Sequence, residues 1–322
     1  MIFIVKSAVA SLYAEPDEQS PRVDEVLHGM PVTAGSGGSK EFAEAEESKV
    51  TGEFEKSEGH ENGEWLYIRT AYRYEGWIRR CHLARCNSAE FMPHLSDQGY
   101  LSQVYSNQIY TNQIHLGQAH IDQSSSVQVC YVTVSAADVL AAPKVQAPLL
   151  ICLTLGCTVH VVSEESPGWT TIALADGCIG YIRSVFLTPF PIKASQQANQ
   201  LASLKASRES ICRTAELYLG AQYRWGGKTP LGIDCSGLCF MAYWLNGISI
   251  YRDASIEPGF PVKEISPEQA QKGDLLFFPG HVGMLLDEND MIHSSEAGSG
   301  VGIEPVTQEW KDRLIAVGSV FG

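Results

Sequence analysis

Two stretches of this chain echo each other. "VLHGMPV" at 26–32 is matched by "LTLGCTV" at 153–159, each with Gly three residues before a Val. "EWLYIRTAYRYEGWIRR" at 64–80 is matched by "GWTTIALADGCIGYIRS" at 168–184, each with Trp-x-x-Ile and then Gly-aromatic-Ile-Arg. Self-similarity of this kind fixes the architecture before any single residue is weighed, because each copy must be the same supersecondary unit. The flanking segments read as short alternating strands: "VKSAVASLYAEPD" alternates and stops at Pro16-Asp17. Two small β-barrels are therefore predicted, one over 1–87 and one over 129–190.

What interrupts the copies is polar. From Glu41 to Glu64 there are nine Glu against two Lys, so residues 35–64 read as a solvated acidic insertion, a surface loop or a lid. Residues 88–128, rich in Gln, Asn and Ser, read as a linker without a core of its own. Over the 322 residues the formal charge is −14, which argues against nucleic acid and anionic membrane as main partners, since both call for basic patches. No apolar run approaches the roughly 20 residues of a membrane helix. The opening "MIFIVKSAVASLYAEP" has its Lys inside the apolar stretch and reads as a strand rather than a signal peptide. Nine cysteines are scattered without metal-like pairs. That pattern suits a reducing, cytoplasmic setting, with no metal and no cofactor expected and one thiol available for chemistry. A secreted or wall-associated protein is the alternative.

From residue 191 onward the pattern changes. Ile211, Ala215 and Leu219 recur at helical spacing, predicting a helix over Ser207–Leu219 with Gly220 as its cap. "IDCSGLCFMAYWLNG" predicts a second helix with Leu238, Met241 and Leu245 on one face, stopping at Asn246-Gly247. "GDLLFF", "HVGMLL" and "MIHSS" read as strands. Helices followed by an antiparallel sheet make 191–322 an α+β unit.

This last part carries the chemistry. Cys235 opens the second helix, where free N–H groups favour an anion. A cysteine attacks as thiolate, and a helix N-terminus or a neighbouring imidazolium lowers its pKa. Cys239 lies one turn further in, among apolar residues, and reads as a core cysteine. A base must accompany the thiol, and His281 and His293 stand on adjacent predicted strands. A hairpin turn centred on Asp287 would set His281 opposite His293. One centred on Glu288-Asn289 would set Met284 there instead and call for a bulge.

"YRWGG" at 223–227, "DCSGL" at 234–238, "RDAS" at 252–255, "KGDLLFF" at 272–278, "HVGMLL" at 281–286 and "IHSS" at 292–295 stand in the order seen in NlpC/p60 cysteine peptidases, which this region resembles. The resemblance implies a papain-like catalytic domain, with Cys235 as nucleophile, His281 as base and acid, His293 orienting it, and Tyr223 beside the oxyanion hole. Tyr223 reads equally as a core aromatic. Asp234 and Ser236 resemble substrate-contacting positions, and Asp234 is also a natural helix N-cap. The two β units resemble bacterial SH3-like domains. With them the layout resembles γ-D-glutamyl-L-diamino acid endopeptidases, which cut peptidoglycan stem peptides after D-Glu and require a free amine on L-Ala. In that group the first SH3-like unit walls the site.

The resemblance offers Tyr74 and either Asp24 or Glu25 as partners for that amine. Strand alternation lets one of the two acids face the site, and Glu25 is preferred. Arg252 and Asp253 are expected to meet a charged group of the substrate or else to form a surface ion pair. Arg224 and Tyr251 depart from the family pattern. A secreted hydrolase of intact wall, a non-catalytic wall-binding protein, and an amidase or acyl-transferase on a related fold are the alternative readings.

Overall fold

The computed structural model describes residues 1–35, 61–85, 128–191 and 200–321. Most of the acidic insertion and nearly all of the polar linker lie outside the described residues.

The first β unit consists of β1 (Ile2–Val5), β2 (Val9–Tyr13), β3 (Arg22–Leu27), β4 (Pro31–Ala34), β5 (Trp65–Thr70), β6 (Glu75–Arg79) and β7 (Leu83–Arg85). They form one antiparallel sheet in the order β3-β2-β6-β5-β4-β1-β7. The second unit consists of β8 (Gln128–Val132), β9 (Ala137–Leu140), β10 (Leu149–Leu153), β11 (Thr158–Ser166), β12 (Trp169–Ala173), β13 (Ile179–Arg183) and β14 (Leu187–Pro189). Its order, β10-β9-β13-β12-β11-β8-β14, is the same permutation. Pairing agrees residue by residue: Tyr13 faces Trp77 in the first sheet and Leu140 faces Tyr181 in the second. The sequence echo is thus a structural repeat.

The rest is α+β. Helix α1 (Gln200–Glu216) packs on α2 (Cys235–Trp244). A short two-stranded sheet of β15 (Lys228–Thr229) and β16 (Gly232–Ile233) precedes α2. A six-stranded antiparallel sheet runs β17 (Lys263–Ile265), β22 (Ala316–Ser319), β18 (Leu275–Phe278), β19 (His281–Leu285), β20 (Asp290–Ser295), β21 (Gly300–Pro305), and α3 (Gln308–Arg313) lies between β21 and β22 in sequence. The run "LLFF" is continuous rather than alternating because β18 is buried on both faces. Leu275 and Phe277 join the main core with α2, while Leu276 and Phe278 join a second cluster that includes Trp310 of α3.

Two expectations are corrected here. The first helix begins earlier, at Gln200, and its regular part ends at Glu216. Helix α2 has no single buried face: all ten of its residues are buried, because α1, the six-stranded sheet and both β units enclose it. Tyr72 of the first unit and Phe190 of the second both contact Trp244.

Candidate active site

Asp234 precedes α2 in an extended conformation, and its Oδ1 accepts from the Gly237 amide at 2.5 Å. That is the N-cap arrangement, and it fixes Cys235 as the first helical residue. Gly237 is required by packing: a Cβ there would fall on the Gly227 carbonyl and 2.8 Å from Asp234 Oδ1.

Cys235 is 6% exposed. Burial pushes its thiol up, the Asp234 carboxylate pushes the same way, and hydrogen bonds from the Val282 and Ser236 amides work against them. The helix start does not by itself ionise this sulfur, contrary to the sequence expectation, because desolvation outweighs it. Cys239 is 1% exposed and its thiol is raised well above the usual range by burial.

Val282 follows His281 directly, so the amide on the sulfur belongs to the strand that carries the imidazole. His281 Nε2 and His293 Nδ1 are 2.8 Å apart. Neither anticipated register is the one adopted. β19 pairs Met284 with Ile292 and Leu285 with Met291, which continued one step sets Gly283 opposite His293. His281 is then the diagonal neighbour, within reach of an aromatic side chain across a sheet. Gly283 leaves the space between the rings open, since a Cβ there would lie 3.5 Å from His293 Cβ and 3.0 Å from Met291 Sδ.

Burial lowers His281 to about 4, with His293 and Arg313 adding to the effect and Glu304 opposing it. Burial also lowers His293, opposed by Glu304. Both shifts favour the neutral imidazoles at neutral pH, so His281 is able to accept a proton. Two further residues surround the histidines that the sequence did not single out. Glu304 Oε1 is 3.5 Å from His293 Nε2. The Trp310 ring stacks on His281 at 5.8 Å and meets His293 edge-on at 5.5 Å.

Tyr223 is half-buried and bridges in parallel to Ile233, one residue before Asp234. Burial first, then the charge of Cys235 and Asp234, pushes its phenol up to about 12, so it remains a donor near the sulfur. Beside Ser236, Cys239, Tyr251, Asp253 and Val282 lies a small cleft. Tyr74, half-buried, shares a hydrogen bond with Asp253.

The remaining candidates are placed otherwise than the sequence implied. Asp24 and Glu25 are both buried, at 0% and 2% exposure, and both are taken up by one lysine that sequence reasoning missed. Lys228 Nζ is 2.7 Å from Asp24 Oδ2, while its backbone amide donates to Glu25 Oε2 at 2.9 Å. Glu25 also pairs with Arg22 at 3.1 Å and Arg224 at 3.7 Å. The preference for Glu25 as the single inward acid is therefore corrected: β3 is enclosed on both faces, so alternation does not send one acid to solvent. Arg252 is neither a surface ion pair nor open to substrate. It is 1% exposed and donates to Asp24, Asp234, Ser236 and the Gly227 carbonyl. Ser236 donates to Asp234 Oδ1 at 3.3 Å, so its hydroxyl belongs to the same network.

Residues 220–319 match the NlpC/P60 family. Dipeptidyl-peptidase 6 of Lysinibacillus sphaericus is 37% identical over 333 aligned residues, spanning 99% of this chain and 99% of that protein. This chain belongs to the NlpC/P60 family of peptidases. A second relative, gamma-D-glutamyl-L-lysine dipeptidyl-peptidase of Bacillus subtilis, is 33% identical over 126 residues, which cover 36% of this chain and 42% of that one. A crystal structure of an NlpC/P60 family protein from Bacillus cereus superposes over the full length of both chains with a TM-score of 0.69 at 18% identity. That likeness shows the fold, β units included.

Proposed function

We propose that this NlpC/P60 peptidase hydrolyses the bond between γ-D-Glu and the diamino acid of peptidoglycan stem peptides whose L-Ala amine is free, and that it acts on fragments released for recycling in the cytoplasm. The two N-terminal sheets are read as SH3-like units that wall the catalytic part. The observation that carries the reading is Cys235 at the head of α2, with the Val282 amide on its sulfur and the adjacent His281 held by His293 at 2.8 Å. The names of the two relatives support the substrate class.

In this mechanism His281 takes the proton of Cys235 as the sulfur attacks the γ-carbonyl. The tetrahedral oxyanion is met by the Cys235 amide and the Tyr223 phenol. The C–N bond breaks, His281 returns the proton to the leaving amine, and a thioester remains. His281 then draws a proton from water as the water oxygen attacks the thioester carbonyl; the C–S bond breaks, the acid product leaves, and the proton passes to the Cys235 sulfur. Because Asp24 and Arg252 are committed to each other, and Glu25 to Arg22, Arg224 and the Lys228 amide, Tyr74 and its partner Asp253, which lines the cleft, are the groups left to receive the L-Ala ammonium. A carboxylate there would select free-amine substrates, since an unpartnered ammonium is costly to desolvate.

The test is mass spectrometry on L-Ala-γ-D-Glu-diaminopimelate, its lysine counterpart and the N-acetylated forms, in reductant, with intact sacculi alongside. Cys235→Ala is expected to lower turnover by about four orders of magnitude or more, while Cys239→Ala keeps most of it. Turnover retained in Cys235→Ala would refute the assignment. Cleavage of acetylated peptide or whole sacculi at equal rates would refute the recycling role.

A further inference from the structure

Asp24 sits on β3, in the part of the chain furthest in sequence from the nucleophile, yet its carboxylate is completely buried against the catalytic unit. Its two oxygens are shared among three donors: Oδ1 accepts from Arg252 Nε at 2.8 Å, and Oδ2 from Lys228 Nζ at 2.7 Å and the Tyr72 hydroxyl at 2.5 Å. Lys228 Nζ and the Tyr72 hydroxyl also contact each other. Beyond Asp24, the guanidinium of Arg252 forks onto both oxygens of Asp234 at 3.0 Å each. Asp234 in turn holds the amides of Gly226 at 2.8 Å and Gly237 at 2.5 Å. Two carboxylates and two cations form a buried set whose formal charges balance, and its last member caps the helix that begins with Cys235.

We propose that Asp24 is a positioning residue of the peptidase reaction: through Arg252 and Asp234 it fixes the start of α2, and with it the nucleophile, without touching substrate. The first β unit is then part of the catalytic apparatus and not only a wall beside it. The physical reason is geometric. Arg252 is planar and bidentate toward Asp234, so the acid that holds its remaining Nε sets the plane of the fork and hence the orientation of the cap. Small displacements of a nucleophile carry large rate penalties.

The inference rests on the proposed endopeptidase reading, and the experiment separates the two. Asp24→Asn is compared with the wild type on free and N-acetylated tripeptide. A kcat lower by on the order of tenfold to a hundredfold, a KM within about threefold and unchanged preference for the free amine support the proposal. A raised KM with lost preference makes Asp24 an amine-binding group and overturns it, as does turnover equal to the wild type. Should Asp24→Asn fail to fold, Arg252→Lys keeps the buried cation but not the fork, and the same split is expected of it. Loss of fold in both variants would make the network structural only and would overturn the proposal. A substrate-free arm uses iodoacetamide and peptide mass spectrometry. Asp24→Asn is expected to change the alkylation rate of Cys235 by about fivefold or more while Cys239 stays unmodified, and an unchanged rate counts against positioning. If the wild type cleaves no tripeptide, the proposed function fails, and this arm alone decides the role of Asp24.

Discussion

The two seven-stranded units have one strand order and one register, yet they meet the rest of the protein by different means. Position for position, Asp24 and Glu25 of β3 correspond to Ile151 and Cys152 of β10: each pair faces the equivalent residues of the neighbouring strand, Leu12 and Ser11 in one sheet, Val139 and Asp138 in the other. The acids are buried and tied to Lys228 and Arg252, whereas Cys152 is exposed. The equivalent glycine turns diverge likewise. A Cβ on Gly29 would collide with Thr158 of the second unit, and one on Gly156 would lie 2.6 Å from Met241 of α2 and 3.1 Å from Leu27 of the first unit. The shared apolar pattern specifies the sheet, and a few unshared side chains decide what each sheet docks against and whether the contact is apolar or charged.

Exchanging those side chains is the sharpest way to break the comparison. Asp24→Ile with Glu25→Cys gives the first unit the residues of the second. It leaves Lys228 and Arg252 buried without Asp24, and the Lys228 amide without its acceptor. Losing one partner of a buried ion pair costs about 3–5 kcal/mol, so the double variant is expected to lower the denaturation midpoint severely or to prevent folding. A midpoint within experimental error of the wild type would mean that the charged seam contributes nothing to stability.

Much of this arrangement was open to a reading of the sequence, and the part that was not has identifiable causes. The repeat, the α+β order and the strands carrying the histidines are written in apolar period and turn residues. Cys235 and the two histidines are the residue types that thiol chemistry calls for. Lys228 gave no signal, because a lysine after Gly-Gly reads as solvated and lysines are almost never fully buried. Alternation failed at β3 because enclosure on both faces removes its meaning. The single apolar face expected of α2 failed for the same reason, since every residue of that helix is buried. The His281–His293 register depended on the turn geometry around 286–290 and on the empty space over Gly283, neither of which a pattern of residue types encodes.

The seam between the two units offers a second, smaller break. His28 corresponds to Leu155 in the second unit. It is buried, its Nε2 accepts from the Ala175 amide at 3.3 Å, and its Nδ1 has no hydrogen-bond partner among the described residues. Burial lowers it to about 4, with Asp176 opposing, and burial lowers the nearby His160 to about 3, with His28 adding to the effect. A histidine depressed in the folded state binds its proton more readily when unfolded. The stability this provides is complete above the unfolded value near 6.5 and is lost as pH falls toward 4. For His28 the loss is on the order of 3 kcal/mol across that window. Denaturant midpoints at pH 7 and pH 5 are expected to separate clearly in the wild type and less so in His28→Leu, and an equal separation would remove His28 from the acid sensitivity.

The smallest test concerns one backbone angle that the copies share. Arg73 has φ of +65° and its counterpart Gly177 has φ of +86°, so the repeat places a left-handed residue at the same point of the β5–β6 and β12–β13 turns. Glycine adopts that angle freely, while another L-residue is strained there by roughly 1–2 kcal/mol. Nothing lies within 4 Å of a Cβ built on Gly177, so Gly177→Arg would meet the backbone strain alone, partly offset by a less flexible unfolded chain. A net loss of about 1 kcal/mol is expected. The first unit tolerates its arginine because the Arg73 guanidinium lies 5.1 Å from the centroid of the buried Phe260 ring, a contact worth about 0.5–2 kcal/mol that ties this turn to the catalytic unit. Phe260→Leu should then weaken the first unit's hold on the catalytic part by a similar amount and leave the second untouched. If Gly177→Arg instead costs nothing, the turn itself is permissive, and Arg73 needs no docking contact to explain it.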